Sequence, residues 1–126
     1  MIAAMTTPIL YGIRNCDTVK KARLWLDEHG IAYQFHDYKT QGVPPERIVH
    51  WLQALGWEKV LNRQGTAWRK LDLATQSAVV DAASAQQVML AHPSVIKRPL
   101  VEWQASPTGE LTVGFKAETW AARPGT

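Results

Sequence analysis

The only cysteine of the chain, Cys16, follows an apolar run and precedes an amphipathic helical pattern. A thiol at a helix N-terminus faces unpaired backbone N–H groups and the positive end of the helix dipole, and both favour the reactive thiolate. Arg14 should add to this effect, whereas the adjacent negative charge of Asp17 should oppose it. The sequence thus predicts a nucleophilic thiol at position 16. The alternative is a buried and inert cysteine, because free cysteines often behave as small hydrophobic residues.

The cysteine has no resolving partner in the chain, because position 19, where a C-x-x-C motif would have its second thiol, is Val19. A lone thiol cannot release its own mixed disulfide. A catalytic cycle would therefore need an outside thiol, most simply glutathione or a dithiol protein.

Three arginines, Arg63, Arg69 and Arg98, lie near Gly or Pro in predicted loops or at element edges. Guanidinium groups bind carboxylates and oxyanions in a fork geometry and lower the pKa of a nearby thiol. The alternative is ordinary surface charge. The bond between Arg98 and Pro99 opens a predicted strand, and such X-Pro bonds can be cis.

The composition fits one domain of 126 residues, with 46% apolar residues and a net charge of +3. A mild positive charge suits a small anionic ligand and gives little support for nucleic-acid binding. With one cysteine the chain is expected to be cytoplasmic, where thiols stay reduced. Residues 1–8 lack the features of a signal peptide, and no apolar run approaches a membrane span. The four histidines show no metal-ligand spacing, so no metal site is expected.

The N-terminal third predicts a β-α-β unit, with strands at 9–13 and 31–38 around a helix at 17–29. Gly30 is the predicted helix stop. Such a unit has parallel strands, and ligands bind beyond their carboxyl ends, where Cys16 lies.

The middle of the chain predicts helices at 46–55, 57–61, 74–82 and 85–91, with Ser84 as the N-cap of the last. The C-terminal part predicts a strand at 99–103, a turn at 106–109, a strand around 111–115 and a short helix at 116–122.

Three motifs in this order resemble those of the arsenate reductase-like (ArsC) family, and its YffB branch in particular. They are Tyr11-Gly12-Ile13-Arg14-Asn15-Cys16-Asp17-Thr18, Asn62-Arg63-Gln64-Gly65-Thr66-Ala67-Trp68-Arg69-Lys70-Leu71 and His92-Pro93-Ser94-Val95-Ile96-Lys97-Arg98-Pro99-Leu100. The resemblance implies an α/β, thioredoxin-like fold with a four-stranded mixed sheet. It implies one domain over 1–126, with a helical insertion at about 44–92.

The resemblance also implies roles for single residues. Cys16 matches the family's nucleophilic cysteine, and Arg63 and Arg98 match its first and second oxyanion-binding arginines. Arg69 matches a basic position of the YffB branch, and Pro99 falls where thioredoxin-like proteins carry a cis proline. The family's third arginine has no counterpart, and Lys116 is the candidate replacement, as a point charge rather than a fork. Arg14 completes the set of candidate binding residues.

Two departures separate the chain from its better-known relatives. Glutaredoxin-linked arsenate reductases carry a histidine shortly after the strand tyrosine, where this chain has Gly12. The related Spx regulators usually have a C-x-x-C pair, which Val19 interrupts.

The function that the resemblance favours is a glutathione-dependent thiol reductase, with glutathione as co-substrate and no bound cofactor. One alternative is a glutaredoxin-linked arsenate reductase. Another is a non-catalytic, Spx-like regulator that binds RNA polymerase. No direct nucleic-acid or membrane partner is expected.

Overall fold

The computed structural model describes residues 7–103 and 109–123, and these residues form two compact units. One unit contains the described residues up to Asp37 and those from Arg98 onward, and the other is Tyr38–Lys97. The second unit contains the predicted insertion and extends beyond it at both ends.

The first unit is built on a four-stranded mixed sheet with the strand order β2-β1-β3-β4. The strands are β1 (Ile9–Gly12), β2 (Gln34–Asp37), β3 (Leu100–Glu102) and β4 (Leu111–Val113). Strand β1 pairs parallel with β2 and antiparallel with β3, and β3 pairs antiparallel with β4. The α/β class and the mixed sheet are confirmed.

Helix α1 (Asp17–Glu28) places its apolar stripe on one face of this sheet. Leu10 and Val101, which are partners across β1 and β3, meet Val19 and Leu26 of the helix in one buried cluster. This packing is possible because the apolar residues of α1 recur at helical spacing and so share one face of the helix. In the strands they alternate and so share one face of the sheet.

The same core includes an aromatic cluster around Trp120 of the C-terminal helix α8, which spans Ala117–Ala121. The ring centroid of Trp120 lies 5.5 Å from Trp25, 4.9 Å from Trp103 and 4.7 Å from Phe115, with edge-to-face geometry in each pair. Edge-to-face contacts suit the charge distribution of aromatic rings and add to the stabilisation from area burial.

The second strand is shorter than predicted, because residues 31–33 follow the end of α1 closely. The N–H of Ile31 donates to the Leu26 carbonyl at 3.0 Å. Gly30, at a φ of +67°, allows the chain to reverse after the helix and is the predicted stop.

The second unit is helical. Its helices are α2 (Tyr38–Gln41), α3 (Pro45–Leu55), α4 (Trp57–Val60), α5 (Thr66–Arg69), α6 (Leu73–Ser77) and α7 (Ala82–Ala91), followed by a 3₁₀ turn at Pro93–Val95. Its fully buried residues include Ile48 and Trp51 of α3 and Met89 of α7. Three of these elements, α2, α5 and the 3₁₀ turn, are not predicted from the sequence.

The predicted N-cap of α7 is wrong. Asp81 is the N-cap, and its side chain accepts a hydrogen bond from the Ser84 N–H at 2.9 Å. Ser84 lies at the third helical position, and its hydroxyl oxygen accepts a hydrogen bond from the Asp81 N–H. The two reciprocal hydrogen bonds form a capping box. The turn predicted at 106–109 lies largely outside the described residues.

Candidate active site

Cys16 is the N-cap of α1, with extended backbone angles of φ −99° and ψ 126°. Its N–H donates to the Ile13 carbonyl at 3.1 Å, and its own carbonyl accepts from the Lys20 N–H at 2.9 Å. These two bonds fix the turn between β1 and the helix. The side chain is partly buried against the first-unit core, so the thiol remains open to solvent on one side.

The pKa of the Cys16 thiol is lowered by its surroundings, although burial alone raises it. Three groups lower the pKa by more than burial raises it: the Val19 N–H, the Arg98 side chain and the Thr18 N–H. Arg98 acts both through a hydrogen bond to the thiol and through its positive charge. The two amides belong to the first turn of α1, and they face Sγ without meeting the geometry of a strict capping hydrogen bond. The site therefore favours the thiolate, as the sequence predicts for a helix N-terminus.

The position of Arg98 beside the thiol follows from the sheet. Arg98 is separated from the start of β3 only by Pro99, β3 pairs with β1, and β1 leads into the loop that carries Cys16. The peptide bond between Arg98 and Pro99 is cis, as the family resemblance implies. The Pro99 carbonyl accepts from the Gly114 N–H at 2.8 Å, which joins this turn to the end of β4.

Gly12 permits the close approach of β1 to the first turn of α1. A Cβ atom at this position would lie 2.8 Å from Cγ2 of Val19. The histidine of arsenate reductases could not be placed here unless Val19 moved, since Val19 is fully buried in the core.

Arg14 lies at the same end of the sheet but contacts another group. Its Nε lies 3.7 Å from Oδ2 of Asp37, a buried carboxylate at the end of β2, and its guanidinium lies 5.3 Å from the Phe35 ring centroid. No local pattern predicts the contact of Arg14 with Asp37, because the two residues are 23 positions apart in the chain. Lys116 is exposed at the N-cap of α8, two residues after Gly114.

Arg63 and Arg69 belong to the second unit. Arg63 lies in a cleft of about 280 Å³ that is also lined by Lys59, Asn62 and Lys97. Its guanidinium is 4.0 Å from the Glu58 carboxylate and 5.4 Å from the Trp57 ring centroid. Arg69 is exposed in the last turn of α5.

Among residues 7–103 and 109–123, no three His, Cys, Asp or Glu side chains form a group suited to a metal ion. Within the same ranges, no helix has the length and apolar character needed to cross a membrane.

The sequence matches the ArsC family over residues 11–123. A solved structure named YFFB protein is 52% identical, with a TM-score of 0.84, and the match covers 92% of this chain and 97% of that one. An arsenate reductase-related protein from Brucella melitensis is 48% identical, with a TM-score of 0.71 and 94% coverage of both chains. The global transcriptional regulator Spx of Lactiplantibacillus plantarum is 28% identical over 96 residues, which are 74% of this chain and 70% of that one. With its thioredoxin-like fold and a match over nearly its whole length, the chain belongs to the ArsC family.

Proposed function

We propose that this chain is a glutathione-dependent thiol reductase in which Cys16 is the nucleophile. The observation that supports the proposal most directly is the lowered pKa of the Cys16 thiol, which has the Arg98 guanidinium beside it. A thiolate is the attacking species in thiol–disulfide exchange, and a partly exposed thiolate is accessible to a disulfide.

The proposed cycle has two exchange steps. The Cys16 thiolate attacks the glutathione sulfur of a mixed disulfide between a substrate thiol and glutathione. The bond between the two sulfurs breaks, and the substrate leaves as a thiolate. Cys16 is then disulfide-bonded to glutathione. A second glutathione thiolate attacks this bond, which releases glutathione disulfide and regenerates the Cys16 thiolate.

The second glutathione is required because the chain offers no resolving thiol. Val19 stands where such a thiol would be, and its side chain is fully buried in the core. In our proposal Arg98 stabilises the attacking thiolate and binds a glutathione carboxylate. Arg14, Arg63, Arg69 and Lys116 are further candidates for binding the anionic groups of the substrate, and Pro99, which follows Arg98 through a cis peptide bond, is a further candidate binding residue. The cycle requires reduced glutathione, which suits the cytoplasm.

Arsenate reduction is the less favoured candidate, despite the similarity to an arsenate reductase-related protein from Brucella melitensis. Arsenate reductases have a histidine that helps their cysteine to ionise. This chain has Gly12 at that position, and a side chain there would collide with Val19. The third arginine is also missing, and the charge of Lys116 cannot form a bidentate contact with an oxyanion.

A second candidate is a regulator that binds RNA polymerase, and the similarity to a protein named global transcriptional regulator Spx favours it. Such a protein would not need turnover at Cys16. This candidate therefore predicts that replacement of Cys16 leaves partner binding unchanged.

The test is turnover of a glutathione mixed disulfide, coupled to glutathione reductase. We expect turnover by the wild type, none by Cys16→Ser, and a rate lower by about tenfold or more for Arg98→Gln, because a charge-assisted hydrogen bond to the attacking thiolate is lost. Lys21→Gln, which removes an exposed cation from α1, should keep the wild-type rate.

Arsenate with glutathione and glutaredoxin is the parallel assay, and we expect no turnover there. Equal rates for the wild type and Cys16→Ser with the mixed disulfide would contradict the proposal. Binding of RNA polymerase by both proteins would then support the regulator.

A further inference from the structure

The charges of the chain are unevenly distributed along the second unit. All fourteen Lys and Arg residues lie outside residues 71–96, whereas Asp72 and Asp81 lie inside this stretch. The stretch contains α6, α7 and the 3₁₀ turn. A protein with a net charge of +3 thus has one helical segment that is locally acidic.

The same segment exposes large apolar side chains. Leu73 is 78% exposed, Val80 is 71% exposed, and Leu90 is 36% exposed. Three of the five exposed large hydrophobic residues found among residues 7–103 and 109–123 therefore fall within 26 positions. A concentration of exposed apolar side chains is typical of an interaction surface.

A cleft of about 430 Å³ lies between α6 and α7, and its apolar lining includes Ala74, Ala78, Val79 and Val88. Small side chains on both helices leave room for a larger apolar side chain to enter. All residues that line the cleft belong to the second unit, whereas Cys16 belongs to the first.

The two carboxylates do not line the cleft but border it, because each accepts a hydrogen bond from a residue that does line it, and we call them its acidic rim. Asp72 accepts a hydrogen bond from the Thr75 N–H at 2.8 Å, and Asp81 accepts from the Ser84 N–H at 2.9 Å. Thr75 and Ser84 are both lining residues. The side-chain and backbone hydrogen bonds of Thr75 lower the pKa of Asp72, and those of Ser84 lower the pKa of Asp81, so both groups carry negative charge at neutral pH.

We propose that the α6–α7 cleft, with its apolar floor and acidic rim, is a docking site for a basic amphipathic helix of a partner protein. Apolar side chains on one face of the helix would enter the cleft, as in other helix-in-groove complexes. Lysines or arginines at the edges of that face would lie opposite Asp72 and Asp81, and complementary charges at a rim favour association and orientation. A second copy of this chain is a poorer occupant, because an isologous contact would bring two acidic rims together.

The test uses defined peptides and the full chain, with backbone amide chemical shifts as the readout. One peptide has leucines on one helical face and lysines on the other, a second has glutamates in place of the lysines, and a third has the first composition in scrambled order. We expect the first peptide to bind with shifts concentrated in residues 73–92, and to bind more weakly as salt is raised. We expect at least tenfold weaker binding of the other two.

Matched variants separate the contribution of the two carboxylates from that of the exposed apolar side chains Leu73 and Val80, which adjoin the lining residues Ala74 and Val79 in the chain. Asp72→Asn combined with Asp81→Asn removes both charges and keeps good capping residues, and it should weaken binding about threefold to tenfold. Leu73→Ser combined with Val80→Ser should weaken it by about tenfold or more. The controls, Asp27→Asn and Leu24→Ser on exposed positions of α1, should bind like the wild type.

Equal binding of the lysine and glutamate peptides would overturn the proposal, as would shifts concentrated outside residues 71–96. Self-association of the chain that Leu73→Ser with Val80→Ser abolishes would also overturn it and would assign the surface to a second copy. Sedimentation velocity over a range of protein concentrations measures that outcome.

Discussion

At the scale of single residues, the reactivity of Cys16 depends on a balance between burial and its polar neighbours. Burial raises the pKa of the thiol, and the Val19 N–H, the Arg98 guanidinium and the Thr18 N–H lower it by more. The amides come from the start of α1, and the guanidinium comes from a residue 82 positions later in the chain. The local part of this environment follows from the sequence around Cys16, whereas the arginine requires the tertiary fold.

The lowered pKa predicts that the stability of the fold depends on pH through Cys16. Because the folded-state pKa lies below the unfolded value of about 8.5, the folded protein binds fewer protons between the two values. The contribution is therefore complete above the unfolded pKa and is lost as the pH falls through the folded pKa. The free energy of unfolding of the wild type should rise with pH across this window relative to Cys16→Ser, as measured by urea denaturation. A difference that stays constant or shrinks with pH would contradict the prediction.

At the scale of elements, the connection from β1 to α1 depends on the absence of a side chain at Gly12. A Cβ atom there would lie 2.8 Å from a methyl group of Val19, which is fully buried. The close approach holds the first turn of the helix, with the amides that face Cys16, against the end of the strand.

Gly12→Ala should therefore lower the free energy of unfolding by about 1–3 kcal/mol, which is the usual cost of overpacking a core. In a Val19→Ala background the added methyl group has space, so the same change should cost less. A double-mutant cycle by urea denaturation measures this coupling. Equal costs in the two backgrounds would show that the contact is not responsible.

Several elements could be predicted from local patterns, and the failures have physical causes. Helix α1 is long, has a regular apolar stripe and ends at a glycine, so its bounds were nearly correct. The strand predicted at 31–38 was too long because Ile31 is bonded to the end of α1 rather than to β1. The N-cap of α7 was misassigned because Asp81 and Ser84 are both good capping residues, and only their mutual hydrogen bonds decide which one begins the helix.

The candidate site was predictable only in part. The position of Cys16 at a helix N-terminus follows from the strand and helix patterns around it. The contact of Arg14 with Asp37 depends on the parallel pairing of β1 with β2, which places Asp37 beside Gly12. No local pattern in the sequence reports that register.

At the scale of the whole molecule, the first and last described helices, α1 and α8, meet in the core of the first unit. Trp25 of α1 and Trp103, which follows β3, both contact Trp120 of α8. Trp120 is 1% exposed, so the last described helix is part of the core and not an appendage. The sheet and α1, which hold Cys16 and Arg98, therefore depend on packing from the C-terminal segment.

Trp120→Ala should lower the free energy of unfolding by about 3–5 kcal/mol, as is usual when a large buried aromatic side chain is removed. Trp68→Ala, at a half-buried position in α5, is the comparison and should cost less. Thermal or urea unfolding followed by far-UV circular dichroism measures both. A similar, small cost for the two variants would contradict the role given to the aromatic cluster.

The α1 amides and Arg98 lower the pKa of the Cys16 thiol, and the most direct test of this effect is the alkylation rate of Cys16 as a function of pH. We expect the rate of reaction with iodoacetamide to reach its midpoint below the ordinary thiol pKa of about 8.5. The midpoint should move upward in Arg98→Gln and stay unchanged in Lys21→Gln. A wild-type midpoint at or above about 8.5, unaffected by Arg98→Gln, would contradict the account.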